Sequence, residues 1–214
     1  MRPVLRAAHG ARGVSSAGAA ARHPIVFLHG WAQRDPPSCR VVAALRSALP
    51  PSGGGVQGDI LLPRYHPRSG DLTQTQLEPF LENLYHSVVS RGTQVHLVGY
   101  SVGGWLAAVF AERHPNLVAS ALLLAPAIDN HQRNFAATPR EEWRMPPEYV
   151  SALQQLPARP QIDTTLVRTA IIHGLEDTDD GGSAPWRVEE WVGSGRPGLS
   201  VYTPAGVDHS LEPW

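Results

Sequence analysis

The residues best suited to chemistry lie in one segment, residues 94–108 (QVHLVGYSVGGWLAA), where Gly-x-Ser-x-Gly follows an apolar run. The pattern predicts a strand that turns sharply into a helix and presents the hydroxyl of Ser101 at the apex. Only small residues fit beside such a turn, which accounts for Gly99, Gly103 and Gly104. The start of the helix would also direct backbone N–H groups toward negative charge near the hydroxyl. Ser101 is therefore a candidate nucleophile.

A serine hydroxyl becomes a good nucleophile only when a base accepts its proton and an acid orients that base. Among the ten histidines, His209 is the candidate base, because GVDHSL places it on a loop after the last predicted strand. The acid is expected in HGLEDTDD, after the preceding strand, where we choose Asp177 and keep Asp179 and Asp180 as further candidates. Asp129, which follows an earlier strand, is the reserve.

Negative charge that develops on a substrate oxygen needs backbone N–H donors. Val102 follows the nucleophile and supplies one donor. The loop after the first predicted strand (FLHGW) offers the amide of Trp31 as the second, with Gly30 allowing the tight turn. His29 is interpreted as a structural residue that braces this loop. Val102 and Trp31 are therefore the predicted oxyanion hole.

Strands and helices that could position these groups alternate along the chain. Strands are predicted at 24–29, 59–62, 118–125, 169–173 and 199–203, helices at 37–49, 71–89, 147–156 and 186–192, and a central strand, turn and helix at 94–114. This alternation predicts an α/β fold with a mostly parallel sheet covered by helices on both faces. Sites in such sheets gather at the carboxyl ends of the strands, where all the groups above would lie.

The composition limits the classes of function. A net charge of −1 over 214 residues argues against a nucleic-acid footprint, so small molecules are the expected partners. No apolar run approaches the roughly 20 residues that an integral membrane segment needs. The single cysteine, Cys39, cannot form an internal disulfide. Nothing in the composition indicates an oligomeric state.

The chain divides into a leader and one domain. Residues 1–23 are rich in Arg, Ala and Ser and contain no acidic residue, which is typical of a disordered start or an organelle transit segment. We therefore expect an intracellular protein, with the chloroplast or mitochondrion as candidate compartments. Residues 24–214 are predicted to form the domain, with a small lid insertion at 127–167 over the site.

The sequence indicates neither a cofactor nor a metal. No Gly-x-Gly-x-x-Gly follows a strand, so a nucleotide cofactor is not expected. The acidic run at 176–180 is accompanied by no cluster of His or Cys ligands. We interpret this run as a solvated loop with one catalytic member.

The motifs HGW, GYSVGG, HGLED and DH, in this order over roughly residues 24–209, resemble the α/β-hydrolase superfamily. The resemblance implies the α/β-hydrolase fold and the following site: Ser101 as nucleophile, His209 as base, Asp177 as acid, and Trp31 with Val102 as oxyanion donors. The segment LLLAPAIDN followed by WRMPPEY is similar to small serine esterases and acyl-protein thioesterases. That similarity implies a serine hydrolase acting on ester or thioester bonds of a small acyl substrate.

The chain departs from the family pattern at its ends. Family members usually have a helix after the catalytic histidine and strands before the first one assigned here, and neither is recognisable. We expect apolar sheet to be left uncovered, giving reduced stability or a partner surface. Within the lid, candidate apolar walls of the entrance are Phe135, Trp143, Met145 and Tyr149, which ordinary packing explains equally well.

Two other functions are compatible with the same fold and the same candidate residues. One is a non-catalytic binding protein that keeps the architecture. The other is a lyase or acyltransferase that uses the same three side chains, because a fold alone does not determine the reaction.

Overall fold

The computed structural model of the chain describes residues 23–30, 39–49, 60–63, 77–129, 147–177, 185–193 and 195–211. Six strands in these ranges form one sheet in the order β2-β1-β3-β4-β5-β6. Their bounds are β1 (Ile25–Leu28), β2 (Ile60–Leu61), β3 (Val95–Tyr100), β4 (Val118–Leu124), β5 (Arg168–Ile172) and β6 (Leu199–Tyr202). Every pairing is parallel, so the carboxyl ends of the strands share one edge of the sheet.

The strands are apolar along their length because the sheet is covered on both faces. In β1, Val26, Phe27 and Leu28 are all completely buried. Successive side chains of a strand point to opposite faces. Accordingly Val26 and Leu28 belong to the larger core cluster, whereas Phe27 joins a second cluster on the other side of the sheet.

Helices fill both layers: α1 (Arg40–Ala48), α2 (Leu77–Val89), α3 (Val102–Arg113), α4 (Pro147–Leu153) and α5 (Pro185–Val192). In α2 the buried residues recur at helical spacing and form one stripe: Leu77, Leu81, Leu84 and Val88. α3 is buried around most of its circumference and lies in the larger cluster. Val42 of α1 packs in the second cluster. The predicted α/β architecture is confirmed.

The structure contains the predicted strands and helices, but some of their first and last residues differ from the prediction. The clearest shift is in α4, which ends at Leu153 rather than at residue 156. The amides of Gln155 and Leu156 instead bond to carbonyls three residues earlier, as in a tight terminal turn. Pro157 follows at once and disfavours helical backbone at the residue before it. Residues 71–76 of the second predicted helix and 130–146 of the lid lie outside the described ranges.

Among the described strands, β6 lies at one edge of the sheet and is partly exposed. Val201 and Tyr202 are 37% and 58% exposed, although the equivalent residues of the central strands are buried or half-buried. β6 leads directly into the loop that carries His209. Across the described ranges, no helix combines the length and the apolar character that crossing a membrane requires.

Candidate active site

Ser101 occupies the sharp turn between β3 and α3, with φ 55° and ψ −122°. A positive φ is strained for a residue with a Cβ, so the surroundings must hold it. The amide of Ser101 donates to the carbonyl of Leu124 at 2.9 Å. Its own carbonyl accepts from the amides of Trp105 and Ala127 at 3.1 and 3.0 Å. These bonds fix the turn to the neighbouring strand and to the first turn of α3.

The glycines around Ser101 are required by close backbone approach. A Cβ on Gly99 would lie 2.7 Å from the carbonyl carbon of Gly103, and a Cβ on Gly103 would lie 2.5 Å from the carbonyl oxygen of His29. Both distances are far shorter than ordinary contact. The predicted need for small residues here is thus explained by the packing of α3 against the ends of β3 and β1.

His209 lies between Ser101 and Asp177. Its Nδ1 is 2.9 Å from Oδ2 of Asp177, and its Nε2 is 3.0 Å from Oγ of Ser101. A carboxylate can only accept, so Nδ1 carries the proton and donates it to Asp177. Nε2 of the neutral ring is then free to accept the hydroxyl proton of Ser101. The three side chains are far apart in the sequence and form one hydrogen-bonded series.

Backbone hydrogen bonds join the loop of Asp177 to the loop of His209. The amide of Leu175 donates to the carbonyl of Pro204, and the amide of Glu176 donates to the carbonyl of Val207, both at 3.0 Å. These bonds continue the pairing of β5 and β6 beyond the ends of the strands. They keep the carboxylate of Asp177 close to the imidazole of His209.

Asp177 is only 3% exposed, and a second histidine shares its carboxylate. Nε2 of the completely buried His173 lies 2.9 Å from Oδ2, the same oxygen that His209 contacts. Burial alone would raise the pKa of Asp177. The contacts with His173 and His209 outweigh burial and hold this pKa down, at about 2. Asp177 is therefore ionised at neutral pH.

His173 is a residue of the site that the sequence motifs do not single out. Its signal is the spacing in HGLED, where His173 precedes Asp177 by four residues across a glycine turn. The amide of Asp177 bonds to the carbonyl of Gly174 in that turn, at 3.2 Å. The turn therefore folds the carboxylate back toward the ring of His173.

The predicted oxyanion donors are described in part. Val102 is the first residue of α3, where backbone N–H groups have no partner within the helix. Trp31 lies outside the described residues. Gly30, directly before it, approaches the nucleophile, since a Cβ on Gly30 would lie 3.4 Å from Cβ of Ser101. Buried His29 donates from Nδ1 to the carbonyl of Gly30 at 2.8 Å, which fits a bracing role in this loop.

Asp129, the reserve acid, has a different partner. It is 3% exposed, and its carboxylate accepts from Nε and Nη2 of Arg159, with a shortest distance of 2.7 Å. Arg159 also contacts Glu190 of α5 at 3.2 Å. In the structure Asp177 therefore contacts His209, whereas Asp129 forms an ion pair with Arg159. Asp179 and Asp180, the two further candidates for the acid, lie outside the described ranges.

The other predicted features of the site are the apolar walls of its entrance and the absence of a metal. Tyr149 is completely buried in the larger core cluster, which favours packing over an entrance wall. Phe135, Trp143 and Met145 lie outside the described residues. Within the described ranges, no three or more His, Cys, Asp or Glu side chains form a group that could hold a metal ion.

Comparison with known families identifies the fold. A family model for the alpha/beta hydrolase fold matches residues 90–169, which include the strand, the Ser101 turn and α3. The chain has the α/β-hydrolase fold, as the order of the motifs predicts. No curated protein matches the chain.

Solved structures support the same fold. Est1E from Butyrivibrio proteoclasticus, with ferulic acid bound, has 14% identity and a TM-score of 0.64, over 89% of this chain and 82% of that one. MGS-MChE2, an alpha/beta hydrolase enzyme from the metagenome of lagoon sediments at Mar Chica, Morocco, has 20% identity and a TM-score of 0.59, over 88% and 82%. Naproxen esterase (carboxylesterase NP) from Bacillus subtilis has 15% identity and a TM-score of 0.50, over 91% and 79%.

Proposed function

We propose that this protein is a serine hydrolase that cleaves carboxylic ester or thioester bonds of small acyl substrates. The observation that carries the proposal is the hydrogen-bonded series from Ser101 Oγ through His209 to Asp177, at 3.0 and 2.9 Å. The series lies at the carboxyl ends of three parallel strands, where α/β sheets bind their ligands. Ser101 has the strained backbone that is typical of a nucleophile on this fold.

The reaction proceeds in two steps. Nε2 of His209 accepts the proton of Ser101 as Oγ attacks the carbonyl carbon of the substrate. Asp177 keeps the ring in the accepting tautomer and stabilises the imidazolium that forms. The amides of Val102 and Trp31 donate to the oxyanion. His209 then gives its proton to the departing alcohol or thiol, and the acyl group stays on Oγ.

Water completes the cycle on the acyl-enzyme. His209 accepts a proton from the water as its oxygen attacks the acyl carbon. The carboxylic acid is released, and the proton returns from His209 to Oγ of Ser101. The products contain only the atoms of the substrate and of water, and Ser101 and His209 are regenerated.

The structural relatives favour ester substrates among the two bond types. The Bacillus subtilis protein is named naproxen esterase (carboxylesterase NP), and the structure of Est1E contains bound ferulic acid. At 15% and 14% identity these proteins share the fold with this chain, and their names only suggest which bond to test first. Esters of compact acids are therefore the first substrates to test, and thioesters the second.

The test is hydrolysis of p-nitrophenyl esters and acyl thioesters of graded chain length by the parent protein and by Ser101→Ala. We expect the substitution to lower kcat on the order of 10⁵-fold or more, because it removes the nucleophile. Ser90→Ala, which alters an exposed serine after α2, is the matched control and should keep the parental rate.

Three results would count against the proposal in different ways. Parental activity in Ser101→Ala would exclude Ser101 as nucleophile. Covalent labelling of Ser101 by a fluorophosphonate without hydrolysis would favour a lyase or acyltransferase. A folded parent with neither labelling nor hydrolysis would favour a non-catalytic binding protein.

A further inference from the structure

Tyr100, the residue directly before Ser101, contacts His209 through both its hydroxyl and its ring. Oη of Tyr100 donates a hydrogen bond to the backbone carbonyl oxygen of His209 at 2.9 Å. The two ring centroids are 5.6 Å apart, with the planes tilted by 37°. The main chain and the side chain of His209 therefore touch the same residue.

Tyr100 is held on a rigid element. It is the last residue of β3 and pairs in register with Leu124 of β4. On its other side the ring lies against Gly30, where a Cβ would approach Cδ1 of the ring to 2.9 Å. The strand pairing fixes its backbone, and the loop after β1 limits the space open to its ring. The hydroxyl is therefore directed at His209 from a defined position.

The loop of His209 is attached on two sides. It follows the exposed edge strand β6, and the side chain of His209 is itself 26% exposed. The backbone bonds from Leu175 and Glu176 hold the loop toward Asp177. The hydroxyl of Tyr100 holds it toward Ser101, at the residue whose imidazole must accept the proton. Proton transfer is efficient only while Oγ and Nε2 stay within hydrogen-bonding reach.

We infer that Tyr100 is a positioning residue, which keeps the imidazole of His209 within reach of Ser101 by holding the carbonyl oxygen of His209. Its effect on catalysis rests on the proposed hydrolase function, whereas its effect on the loop does not. Tyr100 and Ser101 are neighbours at the end of β3. The hydrogen bond from the Tyr100 hydroxyl therefore connects His209 to the strand that carries the nucleophile. Loss of this hydrogen bond lowers kcat without weakening substrate binding.

The test compares Tyr100→Phe, which removes the hydroxyl and keeps the ring, with Tyr202→Phe, a matched change on exposed β6. We measure kcat and KM for p-nitrophenyl acetate, and hydrogen–deuterium exchange of peptides covering residues 203–211. Tyr100→Phe should lower kcat about tenfold with KM unchanged, the effect of one hydrogen bond of about 1.4 kcal/mol. Exchange should rise in 203–211 and stay at the parental level in α3, and Tyr202→Phe should match the parent.

Unchanged kcat in Tyr100→Phe, or unchanged exchange in residues 203–211, would overturn the inference. Faster exchange throughout the chain together with a lower Tm would also overturn it, because Tyr100 would then have only a structural role. If the parent neither hydrolyses esters nor reacts with a fluorophosphonate, the proposed function fails. The exchange comparison would still decide whether Tyr100 holds the loop.

Discussion

Gly174 lies where the loops of Asp177 and His209 meet, and its lack of a side chain permits the contact. A Cβ at Gly174 would lie 2.6 Å from the carbonyl oxygen of Asp208 and would also collide with the carbonyl of Val207. Ordinary contact begins at 3.4 Å, so Gly174→Ala must move the His209 loop by about 1 Å. The bonds of His209, at 2.9 and 3.0 Å, would stretch beyond the hydrogen-bonding range.

We therefore expect kcat/KM of Gly174→Ala for a short p-nitrophenyl ester to fall about 100-fold, while circular dichroism shows a folded protein. Gly206→Ala on the His209 loop is the matched control. Its Cβ would meet nothing within 4 Å, although its φ of +70° strains alanine. This control should lose about 1 kcal/mol of stability and keep most of its activity. Parental activity in Gly174→Ala, or an equal loss of activity in Gly206→Ala, would show that the close contact at Gly174 does not set the position of His209.

Other substitutions separate the two buried aspartates. Asp177→Asn should lower kcat about 10⁴-fold in steady-state kinetics, because the amide favours the wrong tautomer of His209; activity near the parental level would exclude Asp177 as the acid. Asp129→Asn should leave kcat within about twofold and lower the free energy of unfolding by about 1–2 kcal/mol, because it weakens the pair with Arg159. Thermal unfolding and kinetics test this, and a rate loss as large as that of Asp177→Asn would contradict it. Since contacts with His173 and His209 lower the pKa of Asp177 from 3.8 to about 2, the stability from its ionised form should be present above pH 3.8 and lost as the pH falls toward 2. Unfolding of the parent and of Asp177→Asn across this interval measures it, and a constant difference in stability would count against it.

The region around Ser101 could be predicted from sequence because its constraints are local. A strand that turns directly into a helix needs small residues at fixed offsets, and Gly99 and Gly103 stand at those offsets. The close backbone distances at both glycines give the same reason in three dimensions. The order of the motifs at successive strand ends also predicts which loops meet, because the strands are parallel.

Contacts between distant residues could not be predicted in the same way. Periodicity indicates which face of an element is buried, but not which side chain meets which. By its position in the sequence Asp129 is a candidate acid, and only the structure shows that it pairs with Arg159, thirty residues further on. The contacts of Tyr100 and His173 with the site depend likewise on how loops from different strands approach each other.

The end of α4 could not be predicted from apolar spacing. Apolar spacing continues through Leu156, which is buried, so the pattern extends the predicted helix to that residue. The backbone leaves the helix after Leu153, and Pro157 prevents its continuation, because proline has no N–H to bond the carbonyl of Leu153 and disfavours helical geometry at Leu156. Burial and helical conformation therefore end at different residues in this segment.

Activation of Ser101 by His209 can be measured by covalent labelling of the serine. The parent protein and His209→Gln are treated with a fluorophosphonate, and the modified residue is located by peptide mass spectrometry. We predict one adduct on Ser101 in the parent, and labelling at least 100-fold slower in His209→Gln, because the base is absent. An adduct on another residue, or equal labelling rates in the two folded proteins, would contradict it.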